Sequence, residues 1–295
     1  MNARIRIVGV SDVSLGVGSP QILHFIRSLL DHYEAEGILI EPDQPEIFSK
    51  EEGDGKLTVH RIYTVFHPHR NVAGRIEYII RSADLINNLR PDVLIIFSTF
   101  TLPVLFKLKN RPSFVIYYAY EMPFSYGSLD IEMNKYINAS LVDLIIFPEE
   151  NRAIRTLKFC GCKNIPVIIL YNCESIAESE RELLPAKFRN GRILYAGTID
   201  AVRTLAEYFF HDKMRSIPID LFGNITGPDK DKLKQRLQQL HSDIRYFGVV
   251  SRETLKSLQR SYCYRIVIWN PIDEQHLYAA PNKFFEAIAA GVPPI

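Results

Sequence analysis

The chain is predicted to be α/β, with two Rossmann-like, doubly wound domains joined by a charged connector. Three observations carry this expectation. Continuous apolar runs such as Val93-Leu94-Ile95-Ile96-Phe97 and Leu144-Ile145-Ile146-Phe147 show no polar alternation, as strands buried on both faces of a parallel sheet require. Amphipathic stretches of helical period separate these runs, which is the rhythm of βαβ units. The rhythm breaks once, over residues 174–190, where four glutamates crowd a stretch of little strand character. The expected domains are residues 1–175 and 190–295. A length of 295 residues also exceeds what one core usually organises.

In chain order, Ile5-Arg6-Ile7-Val8-Gly9-Val10 reads as the first strand. A loop with Gly16 and Gly18 follows, and Ser19-Pro20 opens a helix as N-cap and first position, with Ile22, Ile26, Leu29, Leu30 and Tyr33 as its apolar stripe. Strand, glycine loop, helix is the opening unit of a doubly wound domain. Gly16 and Gly18 would let the backbone approach a ligand at the helix start, although glycines serve plain turns as readily. Residues 41–55, acidic and rich in Pro and Gly, read as a surface loop around a short edge element. Residues 57–65 alternate as a strand. His67 and His69 follow, and with no third ligand nearby in sequence they read as solvated loop histidines. Residues 76–89 carry a helical apolar period ended by Arg90-Pro91, and the strand at 92–97 delivers Ser98-Thr99 to its C-terminal end. The strand at 114–118 brings Glu121 to the same edge, either as a rim salt bridge or as a carboxylate that reaches a sugar. Strand 141–148, helix 150–159 and strand 167–170 complete the first domain.

The second domain begins with a strand at 192–196 and the loop Gly197-Thr198-Ile199-Asp200. Arg203, just beyond, could bind phosphate oxygens bidentately or be a plain surface arginine. Strands at 219–222, 244–247 and 264–269 alternate with helices at 229–240 and from Ser251 to about residue 260. The closing stretch is a short helix with its ends written in. Pro281 suits the first position, Phe284, Phe285 and Ile288 fall at helical spacing, Gly291 suits a left-handed cap and Pro293 stops continuation. Lys283 and Glu286, three apart, share one face. They form either an ordinary surface ion pair or a cation and a carboxylate that hold a phosphate and a sugar diol near the helix start.

Residues 281–293, Pro-Asn-Lys-Phe-Phe-Glu-Ala-Ile-Ala-Ala-Gly-Val-Pro, resemble the nucleotide-sugar motif of GT-B glycosyltransferases, especially family 4 and related group 1 enzymes. The resemblance implies an acceptor-side N-terminal domain facing, across a cleft, a C-terminal domain that binds the nucleotide sugar. It implies that Glu286 grips the ribose hydroxyls, that Asn282 and Lys283 belong to the donor site, and that Arg203 lies over the diphosphate. The Gly16 and Gly18 loop would lie under the cleft, and Glu121 and Glu286 would be the catalytic carboxylates. The reaction implied is transfer of a sugar from a nucleotide-diphosphate donor to a glycan or lipid-linked acceptor in polysaccharide biosynthesis, with retention, without metal and without any cofactor beyond the donor. On this reading a Gln at position 286 weakens nucleotide binding and leaves the melting temperature of the free protein nearly unchanged.

The sequence departs from that family twice. Tyr278 stands eight positions before Glu286, where many members have another Glu. The chain stops at Ile295, in the strand that should follow the motif helix, so the C-terminal domain is expected to be incomplete. A nucleotide-sugar epimerase on the same fold and a non-catalytic sugar-binding subunit remain alternatives. Composition narrows the rest. A formal net charge of +1 argues against a nucleic-acid binder. Four cysteines are sparse for this length and suit a reducing cytoplasm, and Cys160-Gly-Cys162 lacks the two-residue gap of common zinc knuckles. No apolar run reaches the roughly 20 residues needed to cross a bilayer. A cytoplasmic location is therefore expected, with peripheral association at the inner face of the membrane left open.

Overall fold

The computed structural model describes residues 4–15, 19–44, 53–123, 137, 140–162, 164–173, 183–239 and 243–295. It divides into two compact units, Met1–Tyr171 and Asn172–Ile295.

The first unit is a parallel sheet of β1 (Ile5–Val10), β2 (Ala35–Pro42), β3 (Leu57–Ile62), β4 (Val93–Phe97), β5 (Phe114–Tyr118), β6 (Leu144–Phe147) and β7 (Val167–Ile169). Their spatial order is β3-β2-β1-β4-β5-β6-β7. The order reverses between β1 and β4, which open α/β sheets use as a ligand crevice at the carboxyl ends of the strands. The unbroken apolar character of β4 has a direct cause. Leu94 and Ile96 enter a core with Tyr78, Ile79, Ala83 and Ile86 of α2 (Val72–Leu89). Ile95 and Phe97 enter the opposite core with Ile22, Leu23 and Ile26 of α1 (Pro20–His32). Period-2 geometry sends alternate residues to each side, so both sides must be apolar.

Three details differ from the sequence reading. A full strand, β2, occupies 35–42, pairing with β1 over 35–40 and with β3 over 37–42, so Glu41 is no surface-loop residue. It is wholly buried, accepting from Arg61 Nε at 2.9 Å and from the Leu15 N–H at 2.7 Å. Helix α2 begins four residues earlier than its apolar period, because the Asn71 side chain caps it by accepting from the Gly74 N–H at 2.7 Å. Pro20 opens α1 as expected, but Ser19 makes no side-chain cap bond.

The second unit has a four-stranded parallel sheet in the order β10-β9-β8-β11, from β8 (Ile193–Ala196), β9 (Ile219–Phe222), β10 (Ile244–Tyr246) and β11 (Tyr264–Arg265). This order, too, reverses between the first strand and the last. Helix α3 (Glu150–Cys160) belongs to the first unit, and α4 (Lys230–Leu237) and α5 (Arg252–Gln259) to the second. Ser251 caps α5, its Oγ accepting from the Thr254 N–H at 3.2 Å. Strand β11 is shorter than the apolar run that encodes it. Beyond Arg265 the pairing continues only through the Ile266 N–H to Leu194 O and the Val267 N–H to Ile295 O. On its other side Arg265 pairs with residues 293–295, its N–H donating to Pro293 O and its carbonyl accepting from the Ile295 N–H.

A one-turn helix α6 (Glu274–Leu277) precedes α7 (Asn282–Ala289), the motif helix. Pro281 is its N-cap, so Asn282 takes the first helical position. Gly291 adopts φ 67°, the left-handed value its position demands. The buried face is not the apolar one. Phe284 and Ile288 are 38% and 54% exposed, while Lys283, Ala287 and Ala290 are buried. All four cysteines are free. Among the described residues no helix is long and apolar enough to cross a membrane.

Candidate functional site

The carboxyl end of β8 opens onto a cluster that sequence spacing only partly foretells. Gly197 follows the strand at φ 149°, and a Cβ there would lie 2.9 Å from Lys283 Nζ, so the missing side chain leaves room for the lysine. Gly223 follows β9 at φ 138°, and its would-be Cβ falls 1.8 Å from Gly197 O. The two strand ends therefore meet backbone to backbone. Lys283 is 9% exposed and makes no hydrogen bond or ion pair among the described residues. Its ammonium sits instead 4.8 Å from the ring centroid of Tyr195 and 5.2 Å from that of Trp269. Burial, reinforced by Arg265 and then Arg203, lowers its pKa to about 8. The Arg203 guanidinium lies over the other part of the wall, 4.8 Å from the Trp269 centroid. The turn that places Arg203 is fixed by Asp200, whose Oδ1 accepts from the N–H groups of Val202 and Arg203 at 2.9 and 2.7 Å. The Trp269 indole N–H is buried without a partner among the described residues. Two cations and an indole N–H thus lie around one aromatic wall, a donor set whose chemistry suits an anion.

Glu286 lies one turn along α7 from Lys283 but pairs elsewhere. Its Oε2 accepts from Arg265 Nη2 at 2.6 Å. The surface Lys283–Glu286 pair considered from sequence is therefore replaced by a pair whose arginine is fully buried. Removal of the Glu286 charge would leave a guanidinium stranded in the interior, at a typical cost of about 3–5 kcal/mol. The expectation of an unchanged melting temperature in a Gln variant is corrected accordingly. Asn282, half-buried, stands at the first position of the same helix. The approach to α7 is held by Asn172, which donates to Ala280 O at 2.8 Å.

In the first unit, the corresponding sheet edge holds a carboxylate that the sequence reading passed over. Asp12 is 1% exposed, and its Oδ1 accepts from Ser98 Oγ at 2.9 Å and from the Tyr120 hydroxyl at 2.6 Å. Arg70 Nη2 donates to the other oxygen at 3.0 Å. His69 is not solvated, as its position after β3 suggested. It is buried, with Nε2 2.9 Å from the Asp12 carbonyl, and that burial pushes its pKa below the ordinary value. Glu121 lies half-buried just beyond the end of β5. Gly16 and Gly18 fall outside the described residues. Among those described, no group of three or more His, Cys, Asp or Glu is placed to hold a metal ion.

The structure thus brings Arg203, Asn282, Lys283 and Glu286 into one unit and places Glu121 in the other. Arg265, Trp269 and Tyr195 were missed. For Arg265 a signal existed, since a lone charge inside Tyr264-Arg265-Ile266-Val267-Ile268-Trp269 demands an internal partner. The charged partner lies 21 residues away, beyond the reach of periodicity.

No family model matches the sequence, and comparison with curated proteins gives no match. Solved structures do resemble it. A sucrose-phosphate synthase from Thermosynechococcus elongatus superposes with a TM-score of 0.69 at 13% identity, over 99% of this chain and 80% of that one. A UDP-forming α,α-trehalose-phosphate synthase from Burkholderia xenovorans, in complex with glucose-6-phosphate, gives 0.63 at 12% identity over 96% and 82%. A lipopolysaccharide outer-core galactosyltransferase in its apo form gives 0.61 at 11% identity over 98% and 80%. The fold is the one these GT-B glycosyltransferases share.

Proposed function

We propose that this chain, carrying the GT-B fold, is a glycosyltransferase that moves a hexose from a nucleotide-diphosphate sugar to a glycan or lipid-linked acceptor, with retention and without a metal. The observation that carries the reading is Lys283, a buried ammonium with no ion pair among the described residues, set against the backbone of Gly197 and flanked by Arg203. A diphosphate would supply a charge complementary to these groups. Lys283 and Arg203 would take its oxygens, with the Trp269 N–H as a third donor. Charge that develops on the departing diphosphate would then be met by donors already in place, in a site of low dielectric. These cations provide the neutralisation for which other phosphate-transfer sites use a divalent ion.

Glu286 would accept from the vicinal ribose hydroxyls, each charge-assisted bond contributing roughly 1.5–3 kcal/mol. Asn282, beside Lys283 at the helix start, would complete the donor contacts. Glu121, at the sheet edge of the other unit, is assigned to the acceptor hydroxyl. Retention and the acceptor class rest on the resemblance of residues 281–293 to family 4 enzymes. The 281–295 stretch and the second sheet would form the donor-binding domain, and the first unit the acceptor side.

The test is incubation with a panel of UDP-, GDP- and ADP-sugars and candidate acceptors, with and without chelator, followed by NMR of the anomeric proton in any product. Acceptor-dependent release of nucleoside diphosphate with a retained anomer is expected. Interconversion of the donor sugar without transfer, or binding with no turnover across the panel, would overturn the assignment.

A further inference from the structure

Among the described residues Arg265 is the largest side chain that is fully buried, at 1% exposure. Its guanidinium is fixed from two sides by two different helices. Nη1 donates to Gln259 Oε1 of α5 at 2.6 Å, and Nη2 donates to Glu286 Oε2 of α7 at 2.6 Å. Its backbone is fixed as well, in the ladder with Leu194 and residues 293–295. A planar fork held at both tips presents one orientation only. Glu286 is engaged asymmetrically: Arg265 holds Oε2, while the side chain keeps 20% of its surface exposed.

We infer that Arg265 is a positioning residue for donor recognition, which aims the carboxylate of Glu286 at the ribose diol and offsets its charge so that it can stand beside a diphosphate. The inference rests on the reading of Glu286 given above. Two physical arguments support it. A free carboxylate one helical turn from Lys283 would repel the diphosphate that the lysine attracts, and a charge-neutral pair does not. A buried ion pair is also seldom the most stable way to fill such a volume, since apolar residues of the same size often do as well. Its presence at the site's edge is accounted for by a use in recognition, which fold stability alone does not supply. Gln259, on the far side, would then act on the nucleotide through two hydrogen bonds in series.

The experiment is calorimetric titration of the full chain with UDP and 2′-deoxy-UDP, with the GDP pair run in parallel. The chains compared are wild type, Glu286→Gln, Arg265→Gln and Arg265→Lys, each checked for folding by circular dichroism. Wild type should prefer the ribonucleotide by roughly tenfold or more, the worth of one charge-assisted hydrogen bond. That ratio should fall toward one in Glu286→Gln and equally in Arg265→Gln. Arg265→Lys, with the charge but not the fork, should give an intermediate ratio, and it carries the comparison if Arg265→Gln does not fold. A folded Arg265 variant that keeps the wild-type ratio, while Glu286→Gln loses it, overturns the positioning role and leaves the ribose reading intact. A wild-type chain without preference, or an unchanged ratio in Glu286→Gln, overturns the ribose reading and this inference with it.

Discussion

Replacement of Lys283 by Met should make the free protein more stable while it weakens nucleotide binding. The ammonium has a folded-state pKa of about 8 against an ordinary 10.5. A depression of that size corresponds to about 3 kcal/mol of differential stability. The native state holds this proton less tightly than the unfolded chain does. Between about pH 8 and 10.5 the unfolded chain is therefore the better proton binder, and this group's contribution improves as pH rises. Below about 8 the full penalty stands. Met keeps the unbranched stem against Tyr195 and Trp269 and forfeits the cation–π attraction, about 0.5–2 kcal/mol. The balance at pH 7 is a gain of roughly 1–2.5 kcal/mol, several degrees in melting temperature. Melting curves followed by circular dichroism at pH 7 and pH 10 provide the assay. The gain should be present at the lower pH and largely absent at the higher one, where the wild-type lysine is already neutral. Titration with UDP and GDP should show a loss of about tenfold to a hundredfold, the worth of one charge-assisted contact to phosphate. A Met variant that melts lower at pH 7, or gains equally at both pH values, would refute the reasoning.

Other consequences are as direct. Nucleotide affinity should decline above about pH 8 by close to tenfold per unit, because the binding form of Lys283 is the protonated one, and a flat profile from pH 7 to 9.5 would remove the lysine from the site. Gly223→Ala combines a φ of 138° with a Cβ 1.8 Å from Gly197 O, so a loss of at least about 2 kcal/mol is expected in urea unfolding. A near-neutral result there would mean that the two strand ends can part. Asp12→Ala leaves the Ser98 and Tyr120 hydroxyls and Arg70 without their common acceptor, for a loss of about 3–5 kcal/mol. A change under about 1 kcal/mol would show the cluster to be incidental to the first unit.

Much of the fold was legible because its strands obey one rule. A strand covered on both sides must be apolar at every position, and Val93–Phe97 and Leu144–Phe147 announce themselves in that way. Strand β2 escaped notice because its last two residues, Glu41 and Pro42, look like the start of a polar loop. The carboxylate is tolerated inside only because Arg61 and the Leu15 N–H meet it. The same limit applies to the site. The positions of Lys283 and Glu286 could be read from a motif, but which face of the helix is buried could not. Apolar spacing pointed to Phe284 and Ile288, whereas the buried positions are Lys283 and the smaller alanines. Partnerships such as Arg265 with Glu286, or Asp12 with Tyr120 108 residues later, are properties of topology and leave no local periodicity.

Arg265 lies at a crossing of the chain. Its side chain is tied to α7 through Glu286, and its own amide and carbonyl are tied to Pro293 and Ile295. Neither the helix nor the last paired segment can open without strain on the same residue, so the three behave as one cooperative unit of local unfolding. In hydrogen-exchange terms, the amides of Arg265, Val267 and Ile295 should exchange at a common rate. A ligand that clasps Glu286 should slow all three together, although it touches none of them. Occupancy of the helix would thus be written into the protection of the sheet edge.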